Sequence, residues 1–180
     1  FNGNEHVISN ISINRSSENH VGLFGYVGEE NNGGVITNVG VKNASVTGEL
    51  DVGGLVGELA AGNITDSYAA GNISGESDVG GIVGVFDGGR NITDSYATGI
   101  VSGERDVGGL VGEFDNSRSI TNSYAIENVS GERSDTGGLV GDFQDSRNII
   151  DSFATGTVNG RGDVGGLVGD LDESNVTDSY

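Results

Sequence analysis

The chain has 180 residues, including 34 glycines and no proline, cysteine, methionine or tryptophan. Asp and Glu number 27 against 8 Lys and Arg, a net charge of −19, which leaves no cationic footprint for nucleic acid or an anionic membrane surface. The lack of cysteine excludes a disulfide framework and thiol chemistry, and no apolar run approaches the ~18 residues that a membrane span needs.

Lys42 is the one lysine among the basic residues. Self-repulsion of this size destabilises a compact fold in dilute buffer, and concentrated salt relieves it. The acidic, lysine-poor surface resembles that of proteins from salt-loving organisms; the plainer alternative is an acidic secreted protein.

In chain order, residues 1–19 (beginning FNGNEHVISNISI) lack the pattern that follows and read as strands of a preceding, different coil. With no Met and no charged-then-apolar leader at Phe1, the chain reads as an excerpt of a longer protein. HVGLFGYVG from His20 opens a looser unit, 20–50, where Phe24 replaces a small or β-branched residue and EENNGG (Glu29 to Gly34) lengthens a turn. Five closely similar blocks follow: DVGGLVG at Asp51, DVGGIVG at Asp78, DVGGLVG at Asp106, DTGGLVG at Asp135 and DVGGLVG at Asp163. The intervals of 27, 28, 29 and 28 residues define units 51–77, 78–105, 106–134 and 135–162, with 163–180 incomplete. A second block recurs within them: NITDSYAAGNISG from Asn63, NITDSYATGIVSG from Asn91, SITNSYAIENVSG from Ser119 and NIIDSFATGTVNG from Asn148.

A fixed period of this size means a solenoid, in which each unit buries its apolar face against its neighbours. The apolar residues do not recur at three and four; short Val-, Ile-, Tyr- and Thr-rich runs lie between Gly, Asn, Asp and Ser, the signature of strands and turns. Each unit offers three runs, VGGLVG, ITDSYA and NVSG or its equivalent. The expected fold is therefore an all-β, three-sided parallel β-helix of about 28 residues per coil, with the right-handed sense that parallel crossovers favour.

Stacking assigns the faces. Ile64, Ile92, Ile120, Ile149 and Val176 form one interior ladder, and Leu55, Ile82, Leu110, Leu139 and Leu167 another. Ser67, Ser95, Ser123, Ser152 and Ser179 stand two places before Ala69, Ala97, Ala125 and Ala154 where the unit continues, so both small rows face inward. Tyr68, Tyr96, Tyr124, Phe153 and Tyr180 then line the outside as an aromatic ladder. Glycine pairs supply turns or close backbone contacts. Asn63, Asn91, Asn148 and Asn175 are expected to stack their amides at a turn.

The pairing of VGGLVG with ITDSYATG and VSG resembles the GLUG repeat, and FNGNEHVISNISIN followed by VGLFGYVG is similar to the stretch preceding such arrays. The resemblance covers nearly all of the chain. It implies an extracellular structural or adhesive module of a large bacterial or archaeal protein, as in adhesin-like proteins and the non-catalytic region of immunoglobulin A metalloproteases. It supplies no ligand and no catalytic residues.

Asp51, Asp78, Asp106, Asp135 and Asp163 form an acidic ladder, in which neighbouring carboxylates splay apart or share cations. Ca²⁺ is the natural guest, with Asp78, Asp106, Asp135 and Asp163 as candidate ligands. No acidic calcium nonapeptide or EF-hand loop supports it, and solvated carboxylates beside Arg105, Arg133 and Arg161 are the preferred reading. Arg90, Arg118 and Arg147 form a second arginine row. A zinc site from the two histidines, His6 and His20, has little support, and no cofactor is expected. Acids that recur with the repeat do not mark one active site. Sequons at Asn10, Asn14, Asn43, Asn63, Asn72, Asn91, Asn128 and Asn175 are glycosylation candidates in an exported protein. The tripeptide Arg161-Gly162-Asp163 reads as one turn of the charged ladder rather than an adhesion signal.

These observations favour a non-catalytic, rod-like extracellular or cell-surface segment adapted to high salt. Its partners would be further repeats of the same chain and a cell surface, glycan or protein. The alternatives are the β-helix portion of a carbohydrate-active enzyme and the substrate-recognition region of a secreted protease.

Overall fold

A computed structural model describes residues 1–28 and 33–180; most of the turn expected at Glu29 to Gly34 falls on residues 29–32, outside the described residues. The secondary structure of the described residues is all strand and turn. The strands pair in parallel from coil to coil, as in Ile64↔Ile92, Ile92↔Ile120, Ile120↔Ile149 and Ile149↔Val176, so each position stands on its counterpart in the next coil. The chain is a parallel β-solenoid with about 28 residues per turn.

Units 51–77, 78–105 and 106–134 each hold four strand segments rather than the three runs expected, and in 135–162 the last is split into Phe153–Thr155 and Val158–Asn159. In the third coil these are Ser77–Gly80, Val83–Asp87, Asn91–Thr93 and Tyr96–Gly103. They stack into three hydrogen-bonded sheets, because the long strand Gly34–Thr47 joins the last two rows at the first coil. The run VGGLVG is two strands because the chain bends sharply at its glycines. A Cβ on Gly80 would lie 2.0 Å from the Val83 carbonyl oxygen, and one on Gly108 would lie 1.9 Å from that of Val111. The run ITDSYA breaks at its Asp or Asn, where Asp66, Asp94, Asn122, Asp151 and Asp178 adopt φ of 47–50°.

That left-handed conformation recurs at the other corners. Asp51, Asp78 and Asp106 have φ of 48–54°; Ala61, Gly88, Asn116, Asp145 and Glu173 have φ of 45–64°. Asp and Asn tolerate this region better than other residues with a Cβ, so the corners favour these two residue types.

Inside, Ile64, Ile92, Ile120 and Ile149, with Leu55, Ile82, Leu110 and Leu139, are fully buried; on the last coil Leu167 is only partly buried and Val176 is 37% exposed. A buried aromatic ladder absent from the sequence-based expectation lies beside them. Phe86, Phe114 and Phe143 stack at centroid distances of 4.8 and 5.1 Å. Ser67, Ser95, Ser123 and Ser152 are buried at the broken corner. Ser123 Oγ donates to the Thr121 carbonyl at 2.9 Å and accepts the Ser95 N–H at 3.2 Å, so one hydroxyl ties two coils. A second serine row does the same: Ser146 Oγ accepts the Ser117 N–H at 3.1 Å and donates to Phe114 O at 3.2 Å.

The asparagine row forms on strands, not at a turn: Asn91 pairs with Asn63, but Ser119 interrupts the row before Asn148. Its closest amide contact is Asn91 Nδ2 to Asn63 Oδ1 at 3.5 Å. At the N-terminal end, Asn2–Ser9 and Ser12–Asn14 both pair in parallel with Gly34–Thr47. Phe24 holds register with Val56, and its ring packs edge-on to Phe1 at 5.1 Å.

Phe114→Ala should lower stability by about 3–5 kcal/mol, through lost burial and an unfilled cavity between two rings. Ser123→Ala should cost about 1–3 kcal/mol, because it strands the buried Ser95 N–H. Denaturant unfolding in KCl checks both, and equal stability of either variant would contradict the ladder assignment.

Candidate functional site

The chemistry concentrates along one edge of the solenoid. Asp51, Asp78, Asp106 and Asp135 are partly buried at the same corner, and Asp163 is exposed at the end of the row. His20 occupies this position in the first coil: it shares the left-handed backbone, with φ of 53° against 54° at Asp51, and Val21 bridges to Val52. A second acidic row lies beside the first. Glu58, Glu113, Asp142 and Asp170 are in register, with Val85 replacing the acid in the third coil and Tyr26 in the first.

Close backbone approach brings the rows together. A Cβ on Gly112 would lie 2.5 Å from Asp78 C, and one on Gly141 would lie 2.6 Å from Asp106 C. Only glycine lets this strand lie so near the preceding corner, and the next residue, Glu113 or Asp142, is thereby carried beside its carboxylates.

The result is a half-buried seam of like charges, not the solvated ladder expected. Burial, then Asp51, pushes Asp78 up to about 6; burial, then Asp78 and Asp135, does the same to Asp106. Glu113 is raised to about 7 by burial, then Asp78 and Asp142, and Asp142 to about 7 by burial, then Asp106 and Asp135. Asp51 is also raised, mainly by burial, against the opposing influence of His20. His20 Nδ1 lies 3.0 Å from both Asp51 Oδ2 and Glu58 Oε2.

The arginines do not neutralise this seam. Among the described residues their ion pairs are Arg133–Glu104 at 2.9 Å and Arg15–Glu18 at 3.2 Å, neither with a corner aspartate. Arg105, Arg90, Arg118 and Arg147 are exposed. So are Arg161, Gly162 and Asp163, with Gly162 at φ of 91°. His6 and His20 do not converge: His6 Nδ1 lies 3.0 Å from the Gly3 carbonyl oxygen.

On another side, Tyr68, Tyr96, Tyr124, Phe153 and Tyr180 stack at 4.8–5.6 Å with interplanar angles of 4–12°. Their faces cover one another, leaving ring edges to the outside. Lys42 Nζ stands 5.7 Å from the first ring, Tyr68. Of the sequon asparagines, Asn10, Asn14, Asn43, Asn72, Asn128 and Asn175 are exposed, while Asn63 and Asn91 are half-buried.

One residue breaks the interior symmetry. Glu127 is in register with Gly99, yet it is 7% exposed and its Oε1 has no hydrogen-bond partner among the described residues. The carboxyl occupies space left by glycines: Oε1 would be 2.8 Å from a Cβ at Gly81 and 3.2 Å from one at Gly109. Burial pushes Glu127 up to about 8, which favours its neutral form at pH 7. The signal was AIEN where other units read AAGN, ATGI and ATGT; the second acidic row was signalled by the acid following LVG.

The fold and its ladders define a repeat module in which coil pairs with coil. Residues 48–74 match the family model Glug, the GLUG motif, and the coils on either side hold register with this stretch. Over 53 residues the chain is 49% identical to Halomucin of Haloquadratum walsbyi (strain DSM 16790 / HBSQ001), a match covering 29% of this chain and, to the nearest per cent, 0% of that protein. A crystal structure from Bacteroides ovatus, provisionally named an immunoglobulin A1 protease, superposes with a TM-score of 0.82 at 26% identity. That likeness covers 100% of this chain and 59% of the other, so the chain spans less than two thirds of either relative.

The raised carboxylates fix the sign of a pH dependence. A folded pKa above the unfolded value means that the native state binds more protons, so these groups support folding below the ordinary carboxylate range. That support is lost as pH rises through 6 to 8, the values of Asp78, Asp106, Glu113, Asp142 and Glu127. The melting temperature should therefore fall between pH 5 and pH 8.5, as read by circular dichroism. Glu127→Gln should remove the part of the fall that begins above the ordinary carboxylate range and levels off near pH 8; an unchanged profile would refute the assignment to Glu127.

Proposed function

We propose that this chain is a non-catalytic, rod-forming segment of an extracellular or cell-surface protein that works in concentrated salt. The observation that carries this reading is the repetition of each face from coil to coil: the pairing Tyr96↔Tyr124, Thr98↔Ile126 extends a surface rather than enclosing a cleft. Rigidity follows, because every coil templates the next and length scales with coil number. Similarity to a protein named Halomucin supports an extracellular setting, and the acidic seam supports adaptation to high salt. Screening offsets repulsion between carboxylates that stacking brings together.

Adhesion would fall to the outer faces. Sugar stacking needs a free aromatic face, which the tyrosine row does not offer between its rings, so a glycan or protein partner would meet ring edges and hydroxyls. The likeness to part of the Bacteroides ovatus protein favours a second reading, the substrate-recognition region of a secreted protease. Recurrence of the acids with the coil argues against the carbohydrate-active alternative, where two carboxylates flank one bond.

Two measurements test the proposal. Thermal stability should rise from dilute buffer to molar KCl, and loss of structure in molar KCl would refute the salt adaptation. In small-angle scattering, added GLUG coils should lengthen the particle by ~4.8 Å each; a compact particle of unchanged length would refute the rod.

A further inference from the structure

We propose that His20, Asp51 and Glu58 form a binding site for one divalent transition-metal ion, with Zn²⁺ as its probe. The three ligand atoms lie within 4.8 Å of one another, and His20 Nδ1 is 3.0 Å from an oxygen of each carboxylate. A single imidazole N–H can point at one oxygen or be shared weakly between two. A metal ion bonds to all three atoms at once. Separations of 3.0 Å also match the edge of an octahedron whose metal–ligand bonds are about 2.1 Å, as expected for nitrogen and carboxylate ligands.

The ligand set selects the metal class. Ca²⁺ and Mg²⁺ take oxygen ligands, whereas imidazole beside carboxylate suits Zn²⁺, Mn²⁺ and their neighbours. The site is accessible: the side chain of His20 is 43% exposed and those of Asp51 and Glu58 are 15% and 22%, leaving the remaining coordination positions to water. The negative seam raises the local concentration of cations. His20 belongs to the coil preceding that of Asp51 and Glu58, so the ion would clip two coils together where the aspartate row gives way to histidine.

The test uses the chain in molar KCl, where weak association with the acidic surface is screened. Zn²⁺ calorimetry should give one saturable site per chain, unchanged in His6→Ala. The deciding variant is His20→Asp, which restores the residue used at the same left-handed corner by Asp51, Asp78 and Asp106 and adds negative charge. Outer-shell partners alone are worth about 10–100-fold in metal affinity, so loss of this ligand should weaken Zn²⁺ at least about tenfold. Binding by His20→Asp as tight as by the parent, or no saturable site in the parent, would overturn the proposal. The two histidines make imidazole NMR a second readout: saturating Zn²⁺ should shift the His20 signals and leave those of His6 in place. His20 signals that ignore Zn²⁺ and titrate only with protons would mean a protonated histidine held between two carboxylates, and would also overturn the proposal.

Discussion

Parallel in-register stacking is the constraint on which the rest depends. It sets each residue about 4.8 Å from its counterpart in the next coil, so any chemistry is multiplied along the solenoid. For Ile92, Phe114 or Ser123 the multiplication is favourable, since apolar faces cover one another and each hydroxyl ties two coils. For Asp78 and Asp106 burial opposes ionisation, and the carboxylates that stacking brings alongside add to the effect. The same geometry therefore builds the core and loads the edge. The corners explain why the load is acidic: a left-handed residue is needed at each, and Asp or Asn supplies most of them. Asn would meet the backbone requirement without charge. The net charge of −19 is thus more than corner geometry demands.

The glycines connect this edge to the repeat's defining letters. Gly84, Gly112 and Gly141 admit the close approach of one strand to the preceding coil's corner. Packing needs that approach, yet it also carries the following side chain into the aspartate row. A Val at this place, as at Val85, leaves the approach intact and omits the charge. Acid at Glu58, Glu113 and Asp142 is therefore separable from the backbone requirement, and it gives the seam a chemistry the fold alone does not need.

Much of the fold was legible because inward positions repeat with little drift. The Ile, Leu, Ser and Ala rows, and the outward aromatic row, follow from period and alternation alone. The strand boundaries were less legible. Composition does not distinguish a glycine pair that extends a strand from one that folds the chain back on a carbonyl, as Gly80 does on Val83. Asp94 in a run of strand-formers carries no local mark of its left-handed backbone. The site was less legible still: Asp106 and Glu113 stand seven places apart, on different strands. The first pair meets only through the bend between those strands, and the proximity of Glu113 to Asp78, in the previous coil, exists only once the coils are stacked.

In an array this regular, departures carry more information than repeats. Ser119 in the asparagine row keeps a small polar side chain at low cost. Glu127 is costly: a strand position held by Gly99 in the neighbouring coil instead buries a carboxyl whose Oε1 has no partner among the described residues, and burial favours its neutral form. His20 differs from both. It keeps the corner's backbone geometry, places an imidazole against two carboxylates of the next coil, and leaves part of its side chain open to solvent. Glu127 changes the stability of its coil as pH rises, without any ligand. His20 changes what the edge can bind. These two exceptions, one sealed in the core and one open at the seam, are where a scaffold built by repetition acquires properties specific to single positions.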